Sequence, residues 1–262
     1  MFASIKSELI RFRRTGAIGG AVTIGLTLLV TMFLFIGIGE PDGGAGAGTG
    51  TPPGAAASID LEASDGLAAG IESVAAIVGI VSLAMFALSI ARDFELGTIR
   101  VLLVGQPRRT SLLGGKLLAI ATIVASAALV AAVASFLLSL AIAGPNDVDT
   151  AAWTGGEAMS AAINFVIGTV GWGLVGATLA IVTRSASTAI TGGVAYLLVG
   201  ENLLGIIWDA ATRWLPAGVI DAFTKGGTAD LSYARSSVLL LLYMAVFVGS
   251  MLMIFQRRDI VD

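Results

Sequence analysis

The sequence predicts an all-α integral membrane protein with six transmembrane helices. Of its 262 residues, 56% are hydrophobic and only 13% are charged, whereas soluble domains carry about 25% charged residues. Six apolar segments are long enough to cross a bilayer, which takes about 20 residues each. Lys and Arg occur mainly in every second connecting segment, so they gather at one end of the predicted bundle. We therefore expect residues 1–262 to form a single transmembrane domain.

The apolar segments are read in chain order. The predicted spans are residues 16–38, 67–91, 112–143, 158–183, 186–204 and 236–255. The first follows basic residues as a secretory signal would, but at about 23 residues it exceeds a signal core, so we expect a retained helix. The third is longer than a span requires, so we expect it to tilt or to project into water.

The basic residues predict the orientation. The loops 39–66 and 144–157 contain Asp and Glu but no Lys or Arg. One side of the predicted bundle carries most of the cations: Lys6, Arg11, Arg13, Arg14, Arg92, Arg100, Arg108, Arg109, Lys116, Arg184, Arg257 and Arg258. Cytoplasmic segments are enriched in Lys and Arg. We therefore expect a multi-pass protein of the cell membrane with both termini in the cytoplasm.

Three segments lie outside the predicted spans. Phe2, Ile5, Leu9 and Phe12 recur at helical spacing, which fits either an amphipathic helix on the inner membrane surface or an ordinary basic flank. The Gly-rich stretch 43–53 lacks the Gly-Lys-Ser/Thr ending of a phosphate loop, so we expect a flexible external linker. The last outer loop, 205–235, is apolar and is predicted to form two short helices that dip into or lie on the outer interface, divided at Pro216 and Gly218.

Inside the spans, small residues predict close helix packing. They form one ridge on the third span and one on the fourth, namely Ala127, Ala131, Ser135, Ser139 and Ala143, and Thr169, Gly173 and Ala177. Four polar residues also fall within spans: Glu72, Asn164, Glu201 and Asn202. Such groups are costly in lipid and often functional, so they either serve as interfacial or capping groups or line a substrate path.

The composition excludes several kinds of catalytic and metal site. The chain has no Cys and no His, so thiol catalysis, a Ser-His pair and the common zinc and haem ligands are absent. Gly114-Gly-Lys116 is followed by Leu117 where a phosphate loop needs Ser or Thr. We expect no enzyme activity, no metal or cofactor in this chain, and no nucleic-acid partner.

One polar insert, between the second and third spans, stands out from the apolar sequence around it. If residues 93–104 are helical, Asp93, Gly97 and Arg100 share one stripe, and Gly97 leaves a dent where a partner backbone could approach. Gly97 also costs about 1 kcal/mol of helix stability relative to Ala. Pro107 then ends the helix and Thr110 or Ser111 can cap the next one. The alternative is a plain loop whose charges only fix the topology.

The order of residues in this insert resembles the cytoplasmic loop of ABC-2-type transporter permeases. The matching residues are Glu95-Leu-Gly97-Thr98-Ile-Arg100, the turn Pro107-Arg108-Arg109 and Gly115-Lys116. The six spans, the amphipathic start and the apolar outer loop extend the resemblance over most of the chain. The Gly-rich insert between the first two spans is a departure from it.

The resemblance implies a permease subunit that exports a substrate with energy from a separate ATPase, which holds the ATP and Mg²⁺. Two permease copies, identical or closely paralogous, would pair in the bilayer. The insert would be the coupling helix that docks on the ATPase. Its expected coupling residues are Asp93, Glu95, Gly97, Thr98, Arg100, Arg108 and Arg109. Two other classes remain open, a secondary carrier or channel and a non-transporting membrane assembly subunit.

Overall fold

The computed structural model describes residues 2–36, 61–97, 109–208 and 210–257, which are helical apart from short turns and connections. The helices are α1 (Phe2–Ile36), α2 (Ala69–Glu95), α3 (Arg109–Ala143), α4 (Gly155–Thr183), α5 (Ala186–Ala195), α6 (Glu201–Ile207), α7 (Ala211–Trp214), α8 (Pro216–Thr224) and α9 (Tyr233–Arg257). A π turn, Tyr196–Gly200, joins α5 to α6. Six helical segments are long and apolar enough to cross a membrane, which confirms the predicted all-α multi-pass membrane fold.

The six segments coincide with the predicted spans to within a few residues, although the first helix begins well before its span. α1 is one continuous helix of 35 residues, so the first residues are not a separate helix but an extension of the first span. At about 1.5 Å per residue, α1 and the equally long α3 are each roughly 50 Å long and exceed a hydrocarbon core of about 30 Å. The Gly-rich stretch 43–53 lies outside the described residues.

Alternate connections lie at opposite ends of the bundle. We call the end that carries Glu95, Arg109 and the turn 184–185 the terminal face, and the other end the distal face. At the distal face two connecting segments are joined, because Trp153 Nε1 donates to the Leu61 carbonyl oxygen at 2.8 Å. The neighbouring Thr154 N–H donates to the carbonyl oxygen of Ser64 at 3.3 Å.

The ridge on α4 packs against α2, as the small residues predict. A Cβ added to Gly176 would overlap the carbonyl group of Leu83, and one added to Gly173 would overlap the ring of Phe86. Ser82 Oγ donates to the Thr169 carbonyl oxygen at 2.6 Å. The backbones of the two helices approach so closely that only glycine fits at these positions.

The ridge on α3 faces α1 in the same manner. Ala131, Ser135 and Ser139 are fully buried. The hydroxyl groups of Ser135 and Thr31 are hydrogen-bonded at 2.7 Å. A Cβ added to Gly70 on α2 would press against both hydroxyl groups. Thus α1, α2 and α3 meet at one polar contact, and this ridge serves packing within the chain.

The last loop forms the two short helices that the sequence predicts, α7 and α8, and they turn into the bundle. Ile220 on α8 lies against Gly168 and Gly171 of α4, roughly 20 Å along α4 from its distal end at about 1.5 Å per residue. The hydroxyl group of Tyr243, within α9, donates to the Trp214 carbonyl oxygen. The α7–α8 hairpin is therefore re-entrant, and its half-buried tip at Leu215–Pro216 lies between the two ends of the bundle.

Candidate functional site

The last turn of α2 carries three consecutive residues that hold three different helices. Successive residues of an α-helix point about 100° apart, so Asp93, Phe94 and Glu95 face in different directions. Asp93 contacts α3, Phe94 contacts α9 and Glu95 contacts α5. We call these three residues the junction. It lies at the terminal face, at the start of the polar insert.

Asp93 forms a buried ion pair with Lys116, two turns into α3. Asp93 and Lys116 are only 4% and 6% exposed to solvent. A buried charge whose partner is removed is strongly destabilising, so this pair fixes the end of α2 against α3. Both ends of the polar insert are thereby held together at its base.

Phe94 and Glu95 complete the junction. The Phe94 ring meets Phe255 of α9 edge-to-face, with centroids 6.4 Å apart and an interplanar angle of 82°. Glu95 Oε1 accepts a hydrogen bond from the Ala186 backbone N–H at 2.7 Å. The Ser185 side chain, at the N-cap position of α5, makes no capping hydrogen bond. Glu95 therefore supplies from another helix the acceptor that a helix start needs.

Gly97 ends α2 and does not continue it, which corrects the prediction of one helix over residues 93–104. Its φ of +63° lies in the left-handed region, where glycine carries no Cβ penalty. The Gly97 N–H donates to the Phe94 carbonyl oxygen at 3.1 Å, and this closes the helix in the usual glycine-terminated manner. Asp93 and Gly97 thus do not lie on one exposed helical stripe, because Asp93 is buried and the helix stops at Glu95.

The other predicted coupling residues are described only in part. Thr98, Arg100 and Arg108 lie outside the described residues, as does the part of the predicted coupling helix after Gly97. Arg109 is the first residue of α3, and its side chain lies outside the described part as well. The structure therefore places Asp93, Glu95 and Gly97 together at the base of the insert.

Glu201, predicted as a capping group or a path residue, binds the re-entrant tip. Its Oε1 accepts from the Ala217 N–H at 2.8 Å and its Oε2 from the Gly218 N–H at 3.0 Å. The Tyr196 hydroxyl donates to the same carboxylate. Pro216, the first residue of α8, has no N–H, and the Val219 N–H donates to the Leu215 carbonyl oxygen. Every backbone N–H at the start of α8 is thus accounted for, as an apolar environment requires.

Two further predicted residues lie around α8 as well. Asn164 is buried, and its Oδ1 accepts from the Tyr233 hydroxyl at 2.8 Å. The Tyr233 ring stacks on Phe223 of α8, with centroids 5.6 Å apart. Glu72, in the first turn of α2, interacts electrostatically with Lys225 and Asp221 near the end of the same short helix.

These contacts give Glu201 and Asn164 a part in seating the re-entrant hairpin. The side chain of Asn202 lies outside the described part, so its prediction stays one. In the described ranges, no group of three or more Asp or Glu side chains is placed to hold a metal ion.

Two residues that complete these sites, Lys116 and Tyr196, were not among the predicted site residues. Lys116 is a single cation two turns inside an apolar helix, which is itself a signal that it has a buried partner. The sequence around Tyr196 does not indicate its role, because its hydrogen bond to Glu201 depends on the π turn between the two residues. A polar network at the terminal face and a second one at the re-entrant tip are thus built mainly from residues of α2, α3 and the fifth span.

Comparison with known proteins places the chain in a family. A search of the curated proteins finds no match. The family model described as "Protein of unknown function (DUF2705)" matches residues 58–261. The match begins before α2 and covers all the residues of the junction and of the re-entrant hairpin. The chain therefore belongs to this family.

Proposed function

We propose that this chain is the membrane-spanning permease subunit of an ATP-driven exporter of the ABC-2 type. The observation that carries the proposal is the junction, because its last residue, Glu95, is also the first residue of the Glu-x-Gly-Thr-Ile-Arg sequence that resembles the coupling segment of such permeases. A force applied to the insert would reach α3, α9 and α5 at once through Asp93, Phe94 and Glu95.

In this proposal the energy comes from a separate ATPase subunit that binds ATP and Mg²⁺, since the sequence contains no phosphate-loop motif. Thr98, Arg100, Arg108 and Arg109 of the insert contact that ATPase. Asp93 and Glu95 do not contact the ATPase but act as positioning residues, because they join the base of the insert to α3 and α5. Gly97 separates the two parts by ending α2 with a sharp turn. A second permease copy, identical or paralogous, pairs with the chain in the bilayer.

The proposal also places the terminal face in the cytoplasm of a cell-membrane protein. The absence of Cys from the sequence allows a direct test, because one introduced Cys is the only thiol. Ser64→Cys marks the distal face and Thr110→Cys the terminal face. In intact cells, a membrane-impermeant maleimide should label only Ser64→Cys. Labelling of Thr110→Cys alone would reverse the orientation and contradict the proposal.

The ATPase partner is tested by affinity purification of the full chain from its native membrane, followed by identification of the bound proteins. A soluble ATPase should be recovered in about equal amount with the wild-type chain. Arg100→Glu and Arg108→Glu reverse charges in the insert and should lower that recovery by about tenfold or more, because like charges across an interface cost several kcal/mol. Arg213→Glu reverses a charge in α7, far from the insert and in an exposed ion pair with Asp230, and serves as the control.

Two outcomes would contradict the proposal. One is the recovery of no nucleotide-hydrolysing protein with a wild-type chain that is folded and monodisperse. The other is equal recovery of the ATPase with the insert variants and with the control, since binding would then not use the insert. Transport driven by an ion gradient without any ATPase would favour a secondary carrier in its place.

A further inference from the structure

The fifth span, consisting of α5, the π turn and α6, is weakly packed in its distal half. Its buried residues in α5 are Ala186, Ala189 and Gly193, all small and all in the half nearer the terminal face. No residue of the π turn is buried. Farther out, Ile206 and Ile207 are 79% and 84% exposed. Side-chain packing therefore does little to fix the distal half of this span within the chain.

Carboxylates hold the span at two points instead. Near the terminal face, Glu95 of α2 accepts the Ala186 N–H at the start of α5. Toward the distal face, Glu201 of the span itself accepts the Ala217 and Gly218 N–H groups at the tip of the re-entrant hairpin. Both contacts join a charged acceptor to N–H groups of a helix start, which are among the stronger hydrogen bonds in proteins.

The π turn gives the second contact its geometry. Residues five apart in an α-helix lie about 140° apart around the axis, at about 100° per residue. In the π turn the Glu201 N–H donates to the Tyr196 carbonyl oxygen, which brings residues five apart onto one side. The Tyr196 hydroxyl can therefore reach the Glu201 carboxylate. One extra residue in the helix thus aims Glu201 at the hairpin tip and holds it there.

We propose that the fifth span is a mechanical link between the junction at the terminal face and the re-entrant hairpin, with Glu95 and Glu201 as its two attachment points. Loosening either attachment loosens the other. This link does not rest on the proposed ATPase partner, since every contact in it lies within the chain. It would serve any mechanism in which the two membrane faces must change together.

The attached N–H groups are themselves the reporters for a test. The Ala186, Ala217 and Gly218 amides stand at helix starts, where no intrahelical acceptor is available. Amide-resolved hydrogen–deuterium exchange is measured on the full chain in lipid nanodiscs. Glu95→Ala should accelerate exchange at Ala186 by about 2- to 30-fold, the range expected for loss of a helix cap. It should also accelerate exchange at Ala217 and Gly218, on the far side of the span, by at least about twofold.

The reverse experiment adds a quantitative condition. Glu201→Gln removes one of the two carboxylate acceptors, and it should accelerate exchange at Ala186 as well as at the hairpin tip. Coupling between two sites is reciprocal, so the double variant should accelerate exchange by less than the product of the two single effects. Glu157→Gln, which neutralises an exposed carboxylate in the first turn of α4, should change none of these amides.

A merely local role for each glutamate would give a different result. Exchange at Ala217 and Gly218 would stay within experimental error of the wild type in Glu95→Ala, and the two variants would combine multiplicatively. That result would overturn the proposal. Glu95→Met, which keeps the side-chain length but has no carboxylate to accept the Ala186 N–H, is measured in parallel, so that the test stands even where Glu95→Ala does not fold. No remote acceleration in that variant would equally overturn it.

Discussion

Replacing Asp93 by Ala should destabilise this protein far more than removing an exposed carboxylate would. The change leaves the ammonium group of Lys116 without its carboxylate partner in a site where both side chains are about 93–94% inaccessible to solvent. Removal of one partner from a buried ion pair costs about 3–5 kcal/mol. For a chain of this size that loss corresponds to a fall in Tm of roughly 6–20 °C.

Replacing both members should restore most of the loss. Asp93→Val combined with Lys116→Met fills the site with apolar side chains of similar size, and such exchanges are often neutral or stabilising by about 1–4 kcal/mol. The double variant should therefore be more stable than either Asp93→Ala or Lys116→Ala alone. Its stability separates the energetic cost of an unpaired charge from any packing defect in the last turn of α2.

The measurement is thermal unfolding of the full chain in one detergent, followed by size-exclusion chromatography of the surviving fraction. Unfolding of membrane proteins is commonly irreversible, so one heating rate must be used throughout. The matched control is Asp230→Asn, which breaks the exposed pair between Asp230 and Arg213 at 3.2 Å. Exposed pairs contribute about 0–1 kcal/mol, so the control should lower Tm by at most a few degrees.

Two results would refute this reasoning about the ion pair. One is a Tm of Asp93→Ala within about 2 °C of the control, which is below what loss of a buried pair costs. The other is a double variant whose Tm is no higher than that of the less stable of the two single variants. The stability of the α2 end would then come from Phe94 and Glu95 and not from the charge pair.

Three further predictions concern single glycines and a buried amide. Gly97→Ala should lower the free energy of unfolding by about 1 kcal/mol, because residue 97 has a positive φ. Gly97→Asn should cost less than Gly97→Ala, since Asn tolerates that conformation. If instead Gly97 provides room for a docking partner, Gly97→Asn should impair ATPase recovery more than Gly97→Ala does. Gly176→Ala should destabilise the protein by about 1–3 kcal/mol, because the added Cβ overlaps the facing carbonyl group. In the control Gly114→Ala, the added Cβ meets nothing within 4 Å, so this change should stabilise the protein by about 0.5–1 kcal/mol. Equal thermal stability of the two variants would contradict the packing described. Tyr233→Phe leaves the buried Asn164 amide without its donor and should cost about 1–3 kcal/mol, measured as a fall in Tm, and an unchanged Tm would show that another group replaces the hydroxyl.

The sequence predicts well what depends on neighbouring residues. Spans follow from local hydropathy, and the break at Pro216 follows from the missing N–H and fixed φ of proline. The end of α2 could also have been predicted, because a glycine just after a helical segment is a common helix stop. The interpretation of residues 93–104 as one helix gave more weight to the surface stripe than to that signal.

The contacts that make the two candidate networks could not be predicted in this way. Glu95 binds an N–H group 91 positions later in the chain, and Glu201 binds N–H groups 16 and 17 positions later. Hydropathy and helical periodicity extend over a few turns, so they do not report which helix ends meet. Burial of Asp93 depends likewise on the packing of α3 beside α2. The sequence indicated that these carboxylates matter but not what they bind.

The glutamate contacts have a consequence for how this family can vary. Glu95 and Glu201 bind backbone N–H groups, so the residues on the receiving side, Ala186, Ala217 and Gly218, can change their side chains without losing the hydrogen bond. Among family members, the two glutamates should be retained, while the positions they bind are limited only by local packing, as at the buried Ala186. Such contacts leave no correlated pair of substitutions. Methods that infer contacts from covariation would therefore overlook the two attachments that hold the fifth span.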